Sequence, residues 1–410
     1  MSRKPRIQRS LLVIAVGVLA IAARAEEPAP DGGLTKAMAN GIAMGLPGIS
    51  VAIGKGDRVV WAGTAGYRDL KAGEAVRPED KFGIGSITKS FVAAVVLQLA
   101  AEGRLDLDKV ATDYVDLELL GKVPNAGKAS LRSLLNHQSG IPTWEFSEEW
   151  IRKGRGSGMD LDHVWGKTET LEYVAGDDLQ PDFAPGEKYD YSNTNYTLLG
   201  LVVEAVTGKD LTAEIRTRLL APLGMKDSFM ESFEEIPGGI VHHYHYPTPA
   251  FERVAGVHEK FPRIAPHLIE STAGNLSPEW AAGGMVCTAV DLLRWAQALN
   301  GGKFPGPDVR EEMLAYHPPK TGSRDSFQYM QAICRMENFY QDKTFVGHSG
   351  GTLGFSAMMD WIEGTDITIV CLINVGTMHC DLGLSPPSVF FERSLVPAVM
   401  NYLEKEHAER

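Results

Sequence analysis

Cysteine is scarce in this sequence of 410 residues, which contains only Cys287, Cys334, Cys371 and Cys380. A chain of this length with 44% hydrophobic residues can bury a large core, so it does not need disulfides for its stability. Cys371 stands in the apolar stretch DITIVCLINV, which predicts a small core residue in a buried strand. A Cys371–Cys380 disulfide is left open. Internal repeats and low-complexity tracts are also absent from the sequence.

The sequence lacks a transmembrane-like apolar run beyond its N-terminal region. Residues 1–25 combine basic residues, an apolar run from Leu11 to Ala23 and the tripeptide Ala23-Arg24-Ala25, a pattern typical of a secretory signal peptide. An uncleaved anchor is the alternative, but the run is shorter than the roughly 20 residues that span a bilayer. We therefore predict cleavage before Glu26, a linker over residues 26–33, and a periplasmic or secreted protein without a stable membrane anchor.

Positive charge is in deficit. The net charge is −12, and removal of residues 1–25, which carry five basic and no acidic residues, changes it to −17. An acidic surface repels phosphate backbones, so nucleic acid is excluded as a partner. The expected partner is a small-molecule or peptide substrate, and the sequence does not indicate an oligomeric state.

The strand and helix patterns predict an α/β (α+β) fold in which an all-helical domain is inserted. Two apolar runs around Gly54-Lys55-Gly56-Asp57 predict a hairpin, and strand-like stretches return near the C-terminus, so an antiparallel sheet flanked by helices is expected. The predicted α/β domain covers residues 34–85 and 281–410, the helical domain 86–225, and long loops near the mouth of the site 226–280. The active site is expected where the two domains meet.

Ser86 and Lys89 are the first candidates for chemistry. A serine hydroxyl needs a base within hydrogen-bonding reach, and residues three apart in a helix lie on one face. The stretch SFVAAVVLQLAAEG is apolar on nearly all sides, which predicts a buried helix and a lowered pKa for Lys89. The alternative is an ordinary helix start with a solvated lysine, because Ser-x-x-Lys arises by chance about once in such a chain.

Two further motifs accompany this pair. Tyr191 and Asn193 form the chain's only Tyr-x-Asn; the phenol, in part as phenolate, can shuttle a proton, and the amide can orient Lys89 and a substrate carbonyl. Their alternative role is helix capping. His348 and Gly350 lie in an apolar stretch followed by further glycines, which is typical of a strand that another chain approaches closely.

Together these motifs resemble the serine β-lactamase and penicillin-binding-protein superfamily, particularly its class C β-lactamase and DD-peptidase branch. The resemblance extends over nearly all of residues 35–375, and the similar stretches are LRSLLNHQSGIP, FAPGEKYDYSNTNYTLLGLVVEAVTG, LAPLGM, AAGGMVCTAVDLLRWAQAL and GHSGGTLGFSA. It implies that Ser86 is the acylated nucleophile, Lys89 its base and Tyr191 the proton shuttle. Asn193 would position substrate, and the N–H groups of Ser86 and Gly351 would form the oxyanion hole.

The sequence departs from the β-lactamases at His348, where they typically carry a lysine that binds a substrate carboxylate. Histidine there resembles DD-peptidases, D-amino-acid-specific peptidases and esterases, and could assist Tyr191 or bind a substrate carbonyl. Trp144 falls where a substrate contact is expected, so it is either an apolar pocket wall or a core residue.

The resemblance implies an exported serine hydrolase that needs no metal or other cofactor. The expected substrate is a peptide with D-residues, as for a D-amino-acid peptidase or carboxypeptidase, then an ester, then a β-lactam. A penicillin- or peptidoglycan-binding protein without turnover is the alternative. The histidines of residues 242–246 lack a carboxylate at a ligand spacing, so they do not predict a metal site.

Overall fold

The computed structural model describes residues 31, 33–176, 179–302, 304–323 and 326–408. The predicted signal peptide lies outside the described residues, as does most of the linker. None of the helices in the described ranges combines the length and apolar character needed to cross a membrane.

The strands are named in chain order. They are β1 (Gly48–Lys55), β2 (Arg58–Asp69), β3 (Glu74–Ala75), β4 (Phe82–Gly83), β5 (Ser228–Met230), β6 (Tyr244–His245), β7 (Arg263–Ala265), β8 (Leu268–Glu270), β9 (Met285–Cys287), β10 (Phe327–Tyr329), β11 (Cys334–Tyr340), β12 (Lys343–Gly351), β13 (Ser356–Ile362), β14 (Ile367–Ile373) and β15 (Val375–Gly376).

The α-helices are named in the same way. They are α1 (Leu34–Ala43), α2 (Thr88–Ala101), α3 (Glu118–Gly121), α4 (Leu131–Leu135), α5 (Glu148–Arg155), α6 (Asn193–Thr207), α7 (Leu211–Ile215), α8 (Ala221–Leu223), α9 (Pro249–Val254), α10 (Trp280–Gly283), α11 (Ala289–Gly301), α12 (Pro307–Met313), α13 (Pro386–Phe390) and α14 (Val396–Ala408).

The main sheet joins the two ends of the chain. Its order is β10-β11-β12-β13-β14-β1-β2-β3, and β1 pairs antiparallel with β14 from Ile49 opposite Ile373 to Lys55 opposite Ile367. Helices α1 and α11 pack against it, and β1, β13 and β14 are buried along nearly their whole length, as expected for strands covered on both faces. The predicted antiparallel sheet flanked by helices is confirmed.

Helix α2 is the centre of the helical region. It contacts α6, α10 and α12, and its residues from Thr88 to Leu97 are buried. Because it is apolar on nearly all sides, helices can cover it all round. Its burial, predicted from the sequence, is confirmed, and it places the beginning of α2 inside the protein.

Residues 226–280 are not only loops. They contain β5, which pairs with β9, and β6, β7 and β8, which form a small sheet with β15. These strands have two or three residues, too few for a detectable period-two pattern, which is why the sequence suggested loops. The four cysteines are free thiols, so the Cys371–Cys380 disulfide is not formed, and Cys371 is buried in β14.

Candidate active site

Ser86 lies in a tight turn that leads into α2. The turn, Gly85–Ile87, is a 3₁₀ helix directly before Thr88, and Gly85 has a φ of 50°, in the left-handed region that glycine adopts without strain. Ser86 is partly exposed while its neighbours in sequence are buried. The turn therefore presents the Ser86 hydroxyl to a cavity of about 490 Å³ that Ser86 lines.

Lys89 is fully buried beneath Ser86. Its Nζ lies 3.0 Å from Ser86 Oγ and donates to the carbonyl oxygen of Ala282 at 2.5 Å. Burial lowers the pKa of Lys89 to about 7, and the carboxylates of Glu145 and Glu279 oppose this shift. A neutral amine can donate to Ala282 while its lone pair accepts the Ser86 proton, so the predicted lowering of the pKa supplies a base near neutral pH.

Tyr191 is half-buried beside the pair, two residues before α6, and its hydroxyl oxygen is buried. The Lys89 ammonium lies 4.9 Å from the centre of its ring. Burial raises the pKa of Tyr191 well above 10, and the nearby Ser86 hydroxyl offsets this only in part. The Tyr191 hydroxyl makes no well-formed hydrogen bond within the described residues, so the influence of Ser86 is one of proximity. The raised pKa favours the neutral phenol over the phenolate suggested by the sequence.

Asn193 begins α6 and lines the cavity. Its Nδ2 donates to Glu145 Oε2, and its Oδ1 is buried without a donor among the described residues. The predicted contact between the amide and Lys89 is not formed, because Lys89 bonds instead to Ser86 and Ala282. The free Oδ1 is the part of Asn193 that remains available to a substrate N–H group.

The glycines of β12 let the turn that carries Ser86 approach the strand. A Cβ at Gly350 would lie 1.9 Å from the carbonyl oxygen of Ile84 and 3.1 Å from the nitrogen of Ser86. A Cβ at Gly85 would lie 2.5 Å from the nitrogen of Gly351. The close approach predicted from the glycines is confirmed, and the approaching segment is the turn that carries Ser86. This packing sets the backbone nitrogens of Ser86 and Gly351 near each other.

Substitution of Gly350 by alanine should displace this turn. The obstacle is the backbone carbonyl of Ile84, which cannot rotate away as a side chain could. We therefore expect the free energy of unfolding to fall by about 1–3 kcal/mol. We expect kcat/KM to fall by about 10²-fold. Denaturant unfolding and steady-state kinetics measure the two losses. Gly301→Ala in α11 is the matched control, because a Cβ there meets no atom within 4 Å among the described residues. Equal behaviour of the two variants would contradict the prediction.

His348 belongs to a chain of hydrogen bonds that the sequence did not reveal. His137 Nδ1 accepts from the backbone N–H of Ser192, so in the neutral ring Nε2 carries the proton and donates to Tyr329 Oη at 3.2 Å. Tyr329 can then donate to His348 Nε2 at 3.1 Å, while His348 Nδ1 donates to the carbonyl of Ser349. Burial and the Lys89 charge lower the pKa of His348 to about 4.

Both ring nitrogens of His348 are thus occupied, and the ring is neutral across the physiological range. In this arrangement neither nitrogen is free for Tyr191 or for a substrate carbonyl, but His348 lines the cavity, so a role for it at the site stays a prediction. The ring instead connects β12 to the Tyr329 and His137 side chains, which fixes the strand beside Ser86.

Trp144 is a core residue and not a pocket wall. It is fully buried, its indole N–H donates to Thr197 Oγ1 at 3.2 Å, and its ring packs on Trp150. The substrate contact expected of Trp144 is therefore wrong, since the side chain points into the helical core. Its neighbour Glu145 lines the cavity in its place.

A buried ionic cluster lies beside Lys89. Arg155 is 1% exposed, and its Nη2 lies 2.6 Å from Glu279 Oε1 and 3.6 Å from Glu145 Oε1. Sequence reasoning missed all three residues; the one available signal was the position of Glu145 next to Trp144. The two carboxylates hold the pKa of Lys89 higher than burial alone would, so the cluster partly offsets the larger effect of desolvation.

The histidines of residues 242–246 have protein partners. His242 bonds to Glu270, His243 bonds to Ser271, and His245 Nδ1 bonds to the carbonyl of Leu353. Burial lowers the pKa of His243 to about 3 and that of His245 to about 4. These side chains stabilise the small sheet next to the cavity.

The geometry agrees with a comparison against protein families. The Beta-lactamase family model matches residues 34–381. This chain belongs to the Beta-lactamase family.

The alignments with relatives found by sequence cover only part of this chain and only part of those proteins. Protein flp of Staphylococcus aureus is 32% identical over 180 residues, which is 44% of this chain and 34% of that protein. The chain therefore spans about a third of the length of that curated relative.

Solved structures resemble the fold over most of the chain. The D-stereospecific amidohydrolase from Streptomyces sp. has a TM-score of 0.70 and 26% identity, covering 85% of this chain and 95% of its own. The D-amino acid amidase from Ochrobactrum anthropi SV3 has a TM-score of 0.74 and 24% identity, covering 92% of this chain and all of its own. These likenesses agree with the mixed fold described above.

Proposed function

We propose that this protein is an exported serine hydrolase that cleaves amide bonds of D-amino acids through an acyl-enzyme on Ser86. The observation that carries the proposal is the contact of 3.0 Å between Ser86 Oγ and Lys89 Nζ, made by a buried lysine with a pKa of about 7. A base of that pKa is half neutral at pH 7, so it can take the proton that a serine must lose to attack a carbonyl.

The proposed reaction has two steps. In the first, Lys89 accepts the Ser86 proton, Ser86 Oγ bonds to the carbonyl carbon, and the N–H groups of Ser86 and Gly351 donate to the resulting oxyanion. The C–N bond then breaks. The leaving amine takes a proton from the neutral Tyr191 hydroxyl, and Lys89 passes the proton that it took from Ser86 to Tyr191. In the second step, Lys89 takes a proton from water as the water oxygen bonds to the ester carbon. The C–O bond to Ser86 then breaks, and Lys89 returns the proton to Ser86 Oγ as the acid is released.

The proposed substrate class follows from the charges near β12. A substrate carboxylate needs a permanent cation, and His348 is neutral where β-lactamases typically carry lysine. This favours amides over substrates with a free C-terminal carboxylate, so a carboxypeptidase or β-lactamase activity is less supported. The names of the Streptomyces amidohydrolase and the Ochrobactrum amidase point to the same D-amino acid chemistry.

A substrate panel tests the proposal. Purified protein is assayed with D- and L-phenylalanine amide, an N-acylated D-Ala-D-Ala peptide, p-nitrophenyl acetate and a chromogenic cephalosporin. We expect the highest kcat/KM for D-phenylalanine amide, with the L-amide at least about 10-fold slower because a shaped pocket distinguishes the enantiomers. Equal or faster turnover of the L-amide or the cephalosporin would contradict the assignment. A stable adduct with the cephalosporin and no turnover of any compound in the panel would instead indicate a binding protein.

A further inference from the structure

The cavity at Ser86 extends along the main sheet to the C-terminal helical segment. Beyond the catalytic residues its walls are largely apolar and come from β11, β13 and the segment before α14. The apolar side chains on these walls are Cys334, Met336, Phe339, Met358 and Phe391. Such a lining accommodates a long, flexible hydrocarbon group, because thioether and aromatic side chains adapt to its shape.

One acidic side chain interrupts this apolar lining. Asp360 of β13 lines the cavity and is 4% exposed. Its Oδ1 is fully buried and accepts no hydrogen bond from the described residues. Burial raises the pKa of Asp360 to about 7. An unpaired carboxylate inside a protein costs free energy, so its presence in a cavity wall calls for a partner that enters the cavity.

The register of the sheet leaves space for this carboxylate. Asp360 lies opposite Gly347 of β12, and a Cβ at Gly347 would lie 1.9 Å from the carbonyl oxygen of Met359 and 2.6 Å from Asp360 Oδ1. Any side chain larger than that of glycine at this position would compete with the carboxylate for the same space.

The other charges on the cavity wall are also mostly acidic. Glu392 lies at the C-terminal side, and Glu145 and Glu279 lie near Ser86. Arg155 is the only arginine or lysine among the described residues that line the cavity, and it is paired with Glu279. The wall therefore attracts cations and repels anions.

We propose that this extension binds a substrate side chain with an apolar stem and a terminal ammonium or guanidinium group, which pairs with Asp360. The stem would replace solvent along the methionine and phenylalanine side chains, and the cation would supply the hydrogen-bond donors that the carboxylate lacks. The inference rests on the proposed function, because the extension opens on the Ser86 hydroxyl. It narrows the substrate class to amides of basic D-amino acids.

Two substrates of matched length test the inference. The p-nitroanilides of D-lysine and D-norleucine differ by the terminal amine, and we expect kcat/KM to favour D-lysine by at least about 10-fold, as for a desolvated charge pair. Asp360→Asn should remove most of this ratio, chiefly by lowering kcat/KM for the D-lysine anilide. Asp360→Leu should reverse the preference. Asp342→Asn, which changes an exposed aspartate just before β12, is the matched control and should keep the wild-type ratio.

The outcomes separate the two proposals. A D-norleucine rate equal to or above that of D-lysine, unaltered by Asp360→Asn, would overturn the assignment of the extension and leave the hydrolase intact. Calorimetric binding of D-lysine amide to Ser86→Ala that is lost in Ser86→Ala/Asp360→Asn would support the extension even if the wild type hydrolysed neither anilide. Thermal unfolding checks that the variants fold, which we expect because Asp360 has no partner to lose.

Discussion

Substitution of Ser86 by alanine is expected to lower kcat/KM by about 10³-fold or more, the scale seen when the nucleophile of a covalent mechanism is removed. The reason is geometric: Ser86 Oγ is the hydroxyl that contacts Lys89 Nζ at 3.0 Å and faces the cavity. The fold should remain, because Ser86 is partly exposed and its backbone forms the turn with or without the hydroxyl. Initial rates with the best substrate of the panel measure the loss.

The adduct distinguishes this loss from general damage. Mass spectrometry of wild-type protein quenched during turnover should locate an acyl group on the peptide that contains Ser86, and Ser86→Ala should carry none. Ser133→Ala is the matched control, because Ser133 lies in α4 and does not line the cavity. Undiminished turnover in Ser86→Ala, or an adduct elsewhere, would overturn the mechanism.

The residues that sequence reasoning recovered have chemistry that is visible locally. Ser86 and Lys89 lie one helical turn apart, and the apolar run around them already implies burial and a lowered pKa. Gly350 was recovered because glycine in a strand indicates close backbone approach. The main sheet was recovered for a similar reason, since β1, β13 and β14 are apolar along most of their length.

The residues that sequence reasoning missed are brought to the site by contacts with distant parts of the chain. The ion cluster contains Glu145, Arg155 and Glu279, none of which belongs to a motif. Its shortest contact joins Arg155 to Glu279, which lie 124 residues apart in the sequence. Tyr329 is reached only through His137 and His348, so the hydrogen bonds that occupy His348 could not be read from its neighbours in sequence. The cavity position predicted for Trp144 is occupied by the next residue, Glu145. The turn that precedes α5 determines which of these two side chains faces the cavity and which faces the core.

Substitution of Lys89 by methionine is expected to lower kcat/KM by about 10²–10⁴-fold, the range for removal of a general base. Methionine has similar length and suits the buried site, so the fold should tolerate it better than it tolerates an unpaired charge. Lys81→Met is the matched control, because Lys81 is also buried but bonds to Pro237 and Asp227, away from the cavity. Wild-type activity in Lys89→Met would exclude lysine as the base.

The pH dependence identifies the same base without removing it. In the proposed mechanism Lys89 accepts a proton when neutral, so kcat/KM should rise with pH and reach half of its maximum near pH 7. The carboxylate of Glu145 raises the pKa of Lys89, so Glu145→Gln should move this midpoint to lower pH. His348, with a pKa of about 4, is neutral on both sides of the midpoint, so it should not set the inflection. A midpoint that stays in place in Glu145→Gln would show that a group other than Lys89 accepts the Ser86 proton.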